Sequence, residues 1–244
     1  MSEKVKIFIG SSSNGEDSFI ENIYEYSLRK NCSVDLDITW MRQNKEGVWS
    51  HNNTQMWSTP FSGFRWFIPE MCNFKGRAIY TDCDMINFKD MVDLFTVDMY
   101  NKPIAARKGQ RFGGHEFCVM VFDCERIQEM LVPITRQKNI VEYHHRMIQK
   151  FSGNDQLVQE LDPRWNCLDG EDRKIDDIWQ LHWTNMATQP WRPGWYVGEQ
   201  KPHPRPDLVS LLNEMHQEAK DDGYISNSKL YEDNIHYGII GQCK

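Results

Sequence analysis

The string Asp82-Cys83-Asp84 sets two carboxylates two residues apart, directly after an apolar run at 77–81 (RAIYT). Side chains two apart on an extended chain point to the same side. If the run is a strand of a parallel sheet, its carboxyl end opens onto the crevice where such sheets bind ligands. Two oxygens aimed there suit Mn2+ or Mg2+, which favour carboxylates and complete their shells with phosphate and water. The ordinary alternative is a turn or capping pair, because DxD strings are common by chance; the position after RAIYT brings the metal reading level with it, and both stay open.

Other residues bear on the same chemistry. His182 closes an apolar run at 178–183 (IWQLHW). It is either a packed histidine or, if that strand end lies beside Asp82 and Asp84, an imidazole completing a donor set that Mn2+ accepts. Asp155-Gln156 follows Gly153-Asn154 and reads as a helix start, with Asn154 or Asp155 as the N-cap, or as a polar pair directed at a reacting sugar. Arg65 stands among aromatic residues (GFRWFIP) and is either a snorkelling cation or one aimed at a diphosphate. Glu116 precedes an apolar strand, as a rim residue or a site carboxylate able to act as a base. Trp191 and Trp195 lie in a proline-rich loop and are expected to close over donor or acceptor, since aromatic faces bury the C–H faces of sugars well. His144-His145 sits in a charged stretch (EYHHRMIQK) and reads as surface.

These residues need a scaffold. Residues 5–10 (VKIFIG) form a short strand closed by a Gly/Ser/Asn loop, and 17–29 carry a helical apolar face. Residues 33–41 alternate strictly as a half-buried strand. The opening is therefore β-α-β, which favours a parallel sheet. The pattern further predicts a polar loop over 43–59, a helix over 61–71, and a strand over 77–81 ending in the acidic pair. A short helix follows over 90–95, then strands over 102–107 and 117–122, helices over 124–131 and 155–161, and a strand over 178–183. A loop over 189–206 holds five of the ten prolines, and an amphipathic helix covers 207–219. The fold class is α/β: one mostly parallel, nucleotide-binding sheet flanked by helices. The expected division is a catalytic domain over 1–196 and a C-terminal loop and helical extension over 197–244.

Composition narrows the partners. A net charge of −7 argues against a nucleic-acid surface, so a diphosphate ligand needs a metal to neutralise it. Seven cysteines, scattered singly and without a CxxC pair, read as free thiols of a reducing compartment. No run of 18 apolar residues suggests a membrane span, and the opening residues run straight into a strand without a signal-peptide core. The expectation is cytoplasmic, at most peripheral to a membrane. Mean hydropathy is −0.66, yet nine tryptophans must find a place.

The order of motifs resembles the family-eight glycosyltransferases of the GT-A fold, the group that includes glycogenin and bacterial lipopolysaccharide glucosyl- and galactosyltransferases. The matching stretches are VKIFIG, FRWFIP, AIYTDCDMI with DMVDLF, CVMVFDC, NDQ, PRWN, and LHWT followed by PW, over roughly 5–196. The resemblance implies a retaining transferase moving a sugar from a nucleoside diphosphate donor, UDP by family precedent, to a glycan or lipid-linked glycan. It implies Asp84 as the firmer ligand of Mn2+ (or Mg2+), Asp82 as a ligand nearer the ribose, and His182 as the third. Arg65 and Asp155 would hold the donor sugar, Gln156 would lie near the anomeric carbon, and the loop from Gly10 through Ser11 and Ser12 would approach the nucleotide. The sequence departs from the family at Ser11-Ser12-Ser13, at His115-Glu116-Phe117-Cys118, and at Thr188-Gln189-Pro190, where the family's phosphate-gripping lysine is missing.

Two other readings stand beside this one. A haloacid-dehalogenase-type phosphohydrolase also carries a DxD after a strand, but Met85-Ile86 and the preceding β-α-β unit depart from its pattern. A carbohydrate-binding protein on the same fold, without turnover, is the non-enzyme alternative.

Overall fold

A computed structural model describes residues 4–13, 15–109, 114–191 and 197–225. In chain order the elements are β1 (Val5–Gly10), α1 (Ser18–Asn31), β2 (Leu36–Met41), a 3-10 turn (Ser62–Phe67) leading into α2 (Ile68–Met71), β3 (Arg77–Asp82), β4 (Met85–Asn87), α3 (Met91–Phe95), β5 (Ile104–Lys108), β6 (His115–Asp123), α4 (Ile134–Gln137), α5 (Tyr143–Phe151), β7 (Val158–Leu161), β8 (Cys167–Leu168), β9 (Gln180–His182) and α6 (Pro206–Asp221). They form two compact units, each assembled from separated stretches of chain.

The first unit takes residues 1–13, 32–82 and 90–165. Its six-stranded sheet has the order β2-β1-β3-β6-β5-β7. β2, β1 and β3 pair in parallel, β6 runs antiparallel to β3 and β5, and β7 is parallel to β5. Five strands thus point one way and β6 the other. The apolar run that opens the chain occupies the interior, with Ile7, Ile9, Ile79, Tyr80, Val119 and Val121 all fully buried. Register decides what gathers at the carboxyl edge: Gly10 is opposite Asp82, Thr81 opposite Val119, and Arg107 and Lys108 opposite Glu116 and His115. Gly10, Asp82, Lys108 and the first residues of β6 therefore share one edge.

The second unit takes residues 14–31, 83–89 and 166–244. A small sheet, β4-β9-β8, pairs Met85 with His182 antiparallel and Leu168 with His182 parallel. α1 and α6 pack in the same unit, where Phe19, Ile20 and Ile23 join Leu208, Leu212 and Ala219 in a core with Ile86, Leu181, Trp183 and Trp191. The Tyr26 hydroxyl donates to Asp222 Oδ2 at 2.6 Å, fixing the end of α6 to α1.

Three local expectations are corrected. Residues 61–71 are a 3-10 turn followed by a single α-turn, not one helix. Crowding there is severe: a Cβ on Gly63 would stand 2.1 Å from the Trp57 ring. Residues 124–131 are turns with a short 3-10 segment at Gln128–Met130. The stretch 155–161 ends in β7 rather than forming a helix, because pairing with β5 buries Val158 and Leu161 and outweighs local preference. The six cysteines among the described residues are free thiols. No helix among the described residues is long and apolar enough to cross a membrane.

Candidate functional site

Asp82 ends β3 with its side chain held inside the first unit. The Tyr80 hydroxyl donates to Asp82 Oδ1, and Arg65 Nη2 reaches the Tyr80 hydroxyl at 3.0 Å and Asp82 Oδ1 at 3.5 Å. Burial pushes the Tyr80 hydroxyl well above its ordinary range, against the pull of Arg65 and with the help of Asp82, so it remains a donor. Arg65 is 6% exposed and does not snorkel. Its Nε donates to Ser62 O at 2.7 Å, its Nη1 donates to Phe117 O, and its guanidinium lies 4.4 Å from the Tyr80 ring centroid. In this arrangement Arg65 and Tyr80 orient one oxygen of Asp82. Tyr80 is the member that sequence reasoning missed. The thiol of Cys118 on β6 also lies within 4.8 Å of an Asp82 oxygen.

Gly10 is needed for this packing. A Cβ there would stand 2.6 Å from Phe61 and 2.9 Å from the Tyr80 hydroxyl, the same hydroxyl that holds Asp82. Ser11 and Ser12 follow it, both buried, and the Ser11 amide donates to Met41 O at 3.1 Å.

Asp84 and His182 meet within the second unit, although about a hundred residues separate them in sequence. The pairing of β4 with β9 explains how: Met85 is opposite His182, and the Trp183 amide donates to Asp84 O at 3.0 Å. The His182 ring stands with Nε2 3.3 Å from Asp84 Oδ1. Its Nδ1 lies 2.9 Å from Asn166 Oδ1. A carbonyl oxygen only accepts, so Nδ1 carries the proton of the neutral ring and Nε2 presents a lone pair to Asp84. Asp84 Oδ1 is buried and has no hydrogen-bond partner among the described residues. Two acceptors facing each other at this distance repel unless a proton or a metal cation lies between them. An imidazole nitrogen, a carboxylate oxygen and an outer partner that fixes the tautomer together form a donor set fit for a divalent metal.

Asp155 is well exposed, at 67% of its side chain, and stands beside Lys108 (3.4 Å) and His115 (3.6 Å). Gln156 is exposed next to it, its amide donating to Asn154 Oδ1 at 3.1 Å. Glu116 is half-buried, 3.6 Å from Arg107 Nε.

Trp191 is 1% exposed and lies in the core of the second unit against Trp183 and Phe19. Stacking on an acceptor, the role expected for it, has no free ring face to use. Trp195 lies outside the described residues. His144, read as surface from its charged context, is buried. Its Nδ1 accepts from Trp66 Nε1 at 3.0 Å, and burial lowers its pKa to about 3.

No family model matches the sequence. The Arabidopsis thaliana protein CDI is 27% identical over 92 residues, 36% of this chain and 35% of that protein. The structure is similar to the apo-form glycosyltransferase GlyE of Streptococcus pneumoniae TIGR4, with a TM-score of 0.59 and 16% identity over 93% of this chain and 66% of GlyE. It is similar to the bifunctional glycosyltransferase WbbM (TM-score 0.59, 14% identity, 97% of this chain and 52% of WbbM). It is also similar to the galactosyltransferase LgtC, solved with donor and acceptor sugar analogs (TM-score 0.60, 9% identity, 94% of this chain and 100% of LgtC). The chain thus spans about two thirds of GlyE and half of WbbM, and its match to CDI covers about a third of that protein. The fold, a mostly parallel sheet flanked by helices, is the GT-A fold of these glycosyltransferases.

Proposed function

We propose that this chain is a metal-dependent glycosyltransferase of the family-eight type, transferring a sugar from a nucleoside diphosphate sugar to a glycan or lipid-linked glycan with retention. One observation carries the reading: the buried, unsatisfied oxygen of Asp84 faces an imidazole nitrogen whose tautomer Asn166 fixes. In this reading Asp84 and His182 hold Mn2+ or Mg2+. The metal would stabilise charge on the departing diphosphate. The chain's own groups do the rest. Arg65 and Tyr80 keep Asp82 in one orientation. The loop from Gly10 to Ser12 borders the nucleotide, while Asp155, Gln156 and Glu116 face the donor sugar and acceptor. A nucleophile role for Asp82, as in the phosphohydrolase alternative, is disfavoured because Tyr80 and Arg65 already engage its Oδ1.

A thermal-shift screen of nucleoside diphosphates and their sugars tests the binding half of this reading. A ligand at 100 times its dissociation constant adds about 2.7 kcal/mol, a clear rise in Tm. We expect that rise for at least one nucleoside diphosphate with Mn2+ present and its loss with EDTA. A shift indifferent to metal would refute the metal site.

A further inference from the structure

We infer that His115 is a positioning residue for Asp155: its neutral ring, anchored to the loop that carries Asp155, directs an Nε2–H at that carboxylate. The inference rests on the proposed function, which places Asp155 at the donor sugar.

β6 begins at His115, and this residue is tied to the 152–155 loop at two points. Its backbone N–H donates to Ser152 Oγ at 3.2 Å, and its Nδ1 accepts the backbone N–H of Gly153 at 3.1 Å. The approach is tight: a Cβ on Gly114 would stand 2.2 Å from Ser152 Oγ. Gly153 takes a φ of 72°, in the left-handed region that glycine adopts freely. A ring nitrogen that accepts carries no proton, so the neutral ring bears its proton on Nε2. Burial lowers the His115 pKa. Asp155 and Glu160 oppose that shift, while Lys108 and Lys102 reinforce it, so the ring is neutral at neutral pH.

The side chain of His115 is fully buried, and its Nε2 has no hydrogen-bond partner among the described residues. Asp155 Oδ1 lies 3.6 Å away, just beyond hydrogen-bond range. Such contacts are commonly long in ligand-free sites and tighten around substrate. Lys108 Nζ sits 3.4 Å from the other oxygen, Oδ2. The exposed carboxylate thus has a buried neutral donor on one oxygen and a cation on the other.

Two substitutions separate anchoring from direction. In His115→Asn, the amide oxygen can stand near the Nδ1 position and still accept from Gly153, but nothing reaches towards Asp155. In His115→Gln, the amide nitrogen can stand near the Nε2 position and donate. For Mn2+-dependent turnover of a nucleoside diphosphate sugar, His115→Asn should lower kcat by about tenfold or more, beyond any rise in donor KM, as small misplacements of reacting groups do. His115→Gln should stay within about threefold of wild type, because it keeps a donor at that position. Equal losses in the two variants, or full turnover in His115→Asn, would overturn the inference. A second readout needs no turnover: ring-nitrogen NMR of the full chain should show the proton on Nε2, with a resonance that moves in Asp155→Asn. A proton on Nδ1, or an Nε2–H indifferent to Asp155→Asn, overturns the inference whether or not a donor is found. Inactivity of the wild type towards every nucleotide sugar would instead count against the donor-site reading.

Discussion

Asp84→Ala is expected to weaken Mn2+ binding by more than about 100-fold, since loss of an outer partner alone typically costs about 10–100-fold and this change removes a ligand. The folded state should barely notice. The side chain is a quarter exposed, and the part of Asp84 that joins the small sheet is its carbonyl oxygen, which accepts from the Trp183 amide and survives the substitution. Asn166→Ala belongs in the same series and should cost about 10–100-fold, because it frees the His182 ring to take either tautomer without removing a ligand. The check is Mn2+ titration by calorimetry in the presence of a nucleoside diphosphate, alongside denaturation of the metal-free proteins. Wild-type affinity in Asp84→Ala would remove the pair from the metal site, and an affinity loss matched by general unfolding would make its role structural.

Trp191→Ala is expected to destabilise the protein by about 3–5 kcal/mol, the usual cost of removing a fully buried aromatic ring. The ring is 1% exposed and packs between Trp183 and Phe19, at centroid distances of 5.9 and 6.2 Å, in the core that joins α1 to α6. Urea denaturation followed by tryptophan fluorescence reads the loss. A variant as stable as wild type but with raised acceptor KM would restore the acceptor-stacking role.

The sequence was most informative where one periodicity served one burial pattern. VKIFIG, the amphipathic α1 and the run ahead of Asp82 gave the β-α-β opening and the strand end that carries the acidic residue, because period-2 and period-3.6 patterns report burial directly. Residues that act through contacts distant in sequence were invisible. Nothing around Asn166 marks it as the partner of His182, and nothing around Arg65 marks it as the partner of Tyr80 and Asp82; strand pairing and a 3-10 turn create both relations. Tyr80 did leave a local signal, since it stands two residues before Asp82 on one strand, a spacing that puts both side chains on the same side. Some misreadings had a usable signal. The charged look of EYHHRMIQK concealed a helical stripe at His144, Met147 and Phe151, all buried at spacings of three and four. Trp191 was misplaced for the opposite reason: a proline-rich, irregular segment was equated with exposure, whereas its backbone is irregular and its ring is core. For Arg65 the choice between solvent and ligand leaves out a third set of partners, the main-chain carbonyls of Ser62 and Phe117, to which its guanidinium also donates.

The most direct test of the central claim is release of nucleoside diphosphate from a panel of nucleoside diphosphate sugars, with Mn2+ or with EDTA, by the wild type and Asp84→Ala. Slow hydrolysis of at least one sugar is expected with Mn2+, with no release in EDTA and loss of release in Asp84→Ala. Release equal in EDTA, or inorganic phosphate freed from simple phosphomonoesters with no nucleotide sugar consumed, would contradict it.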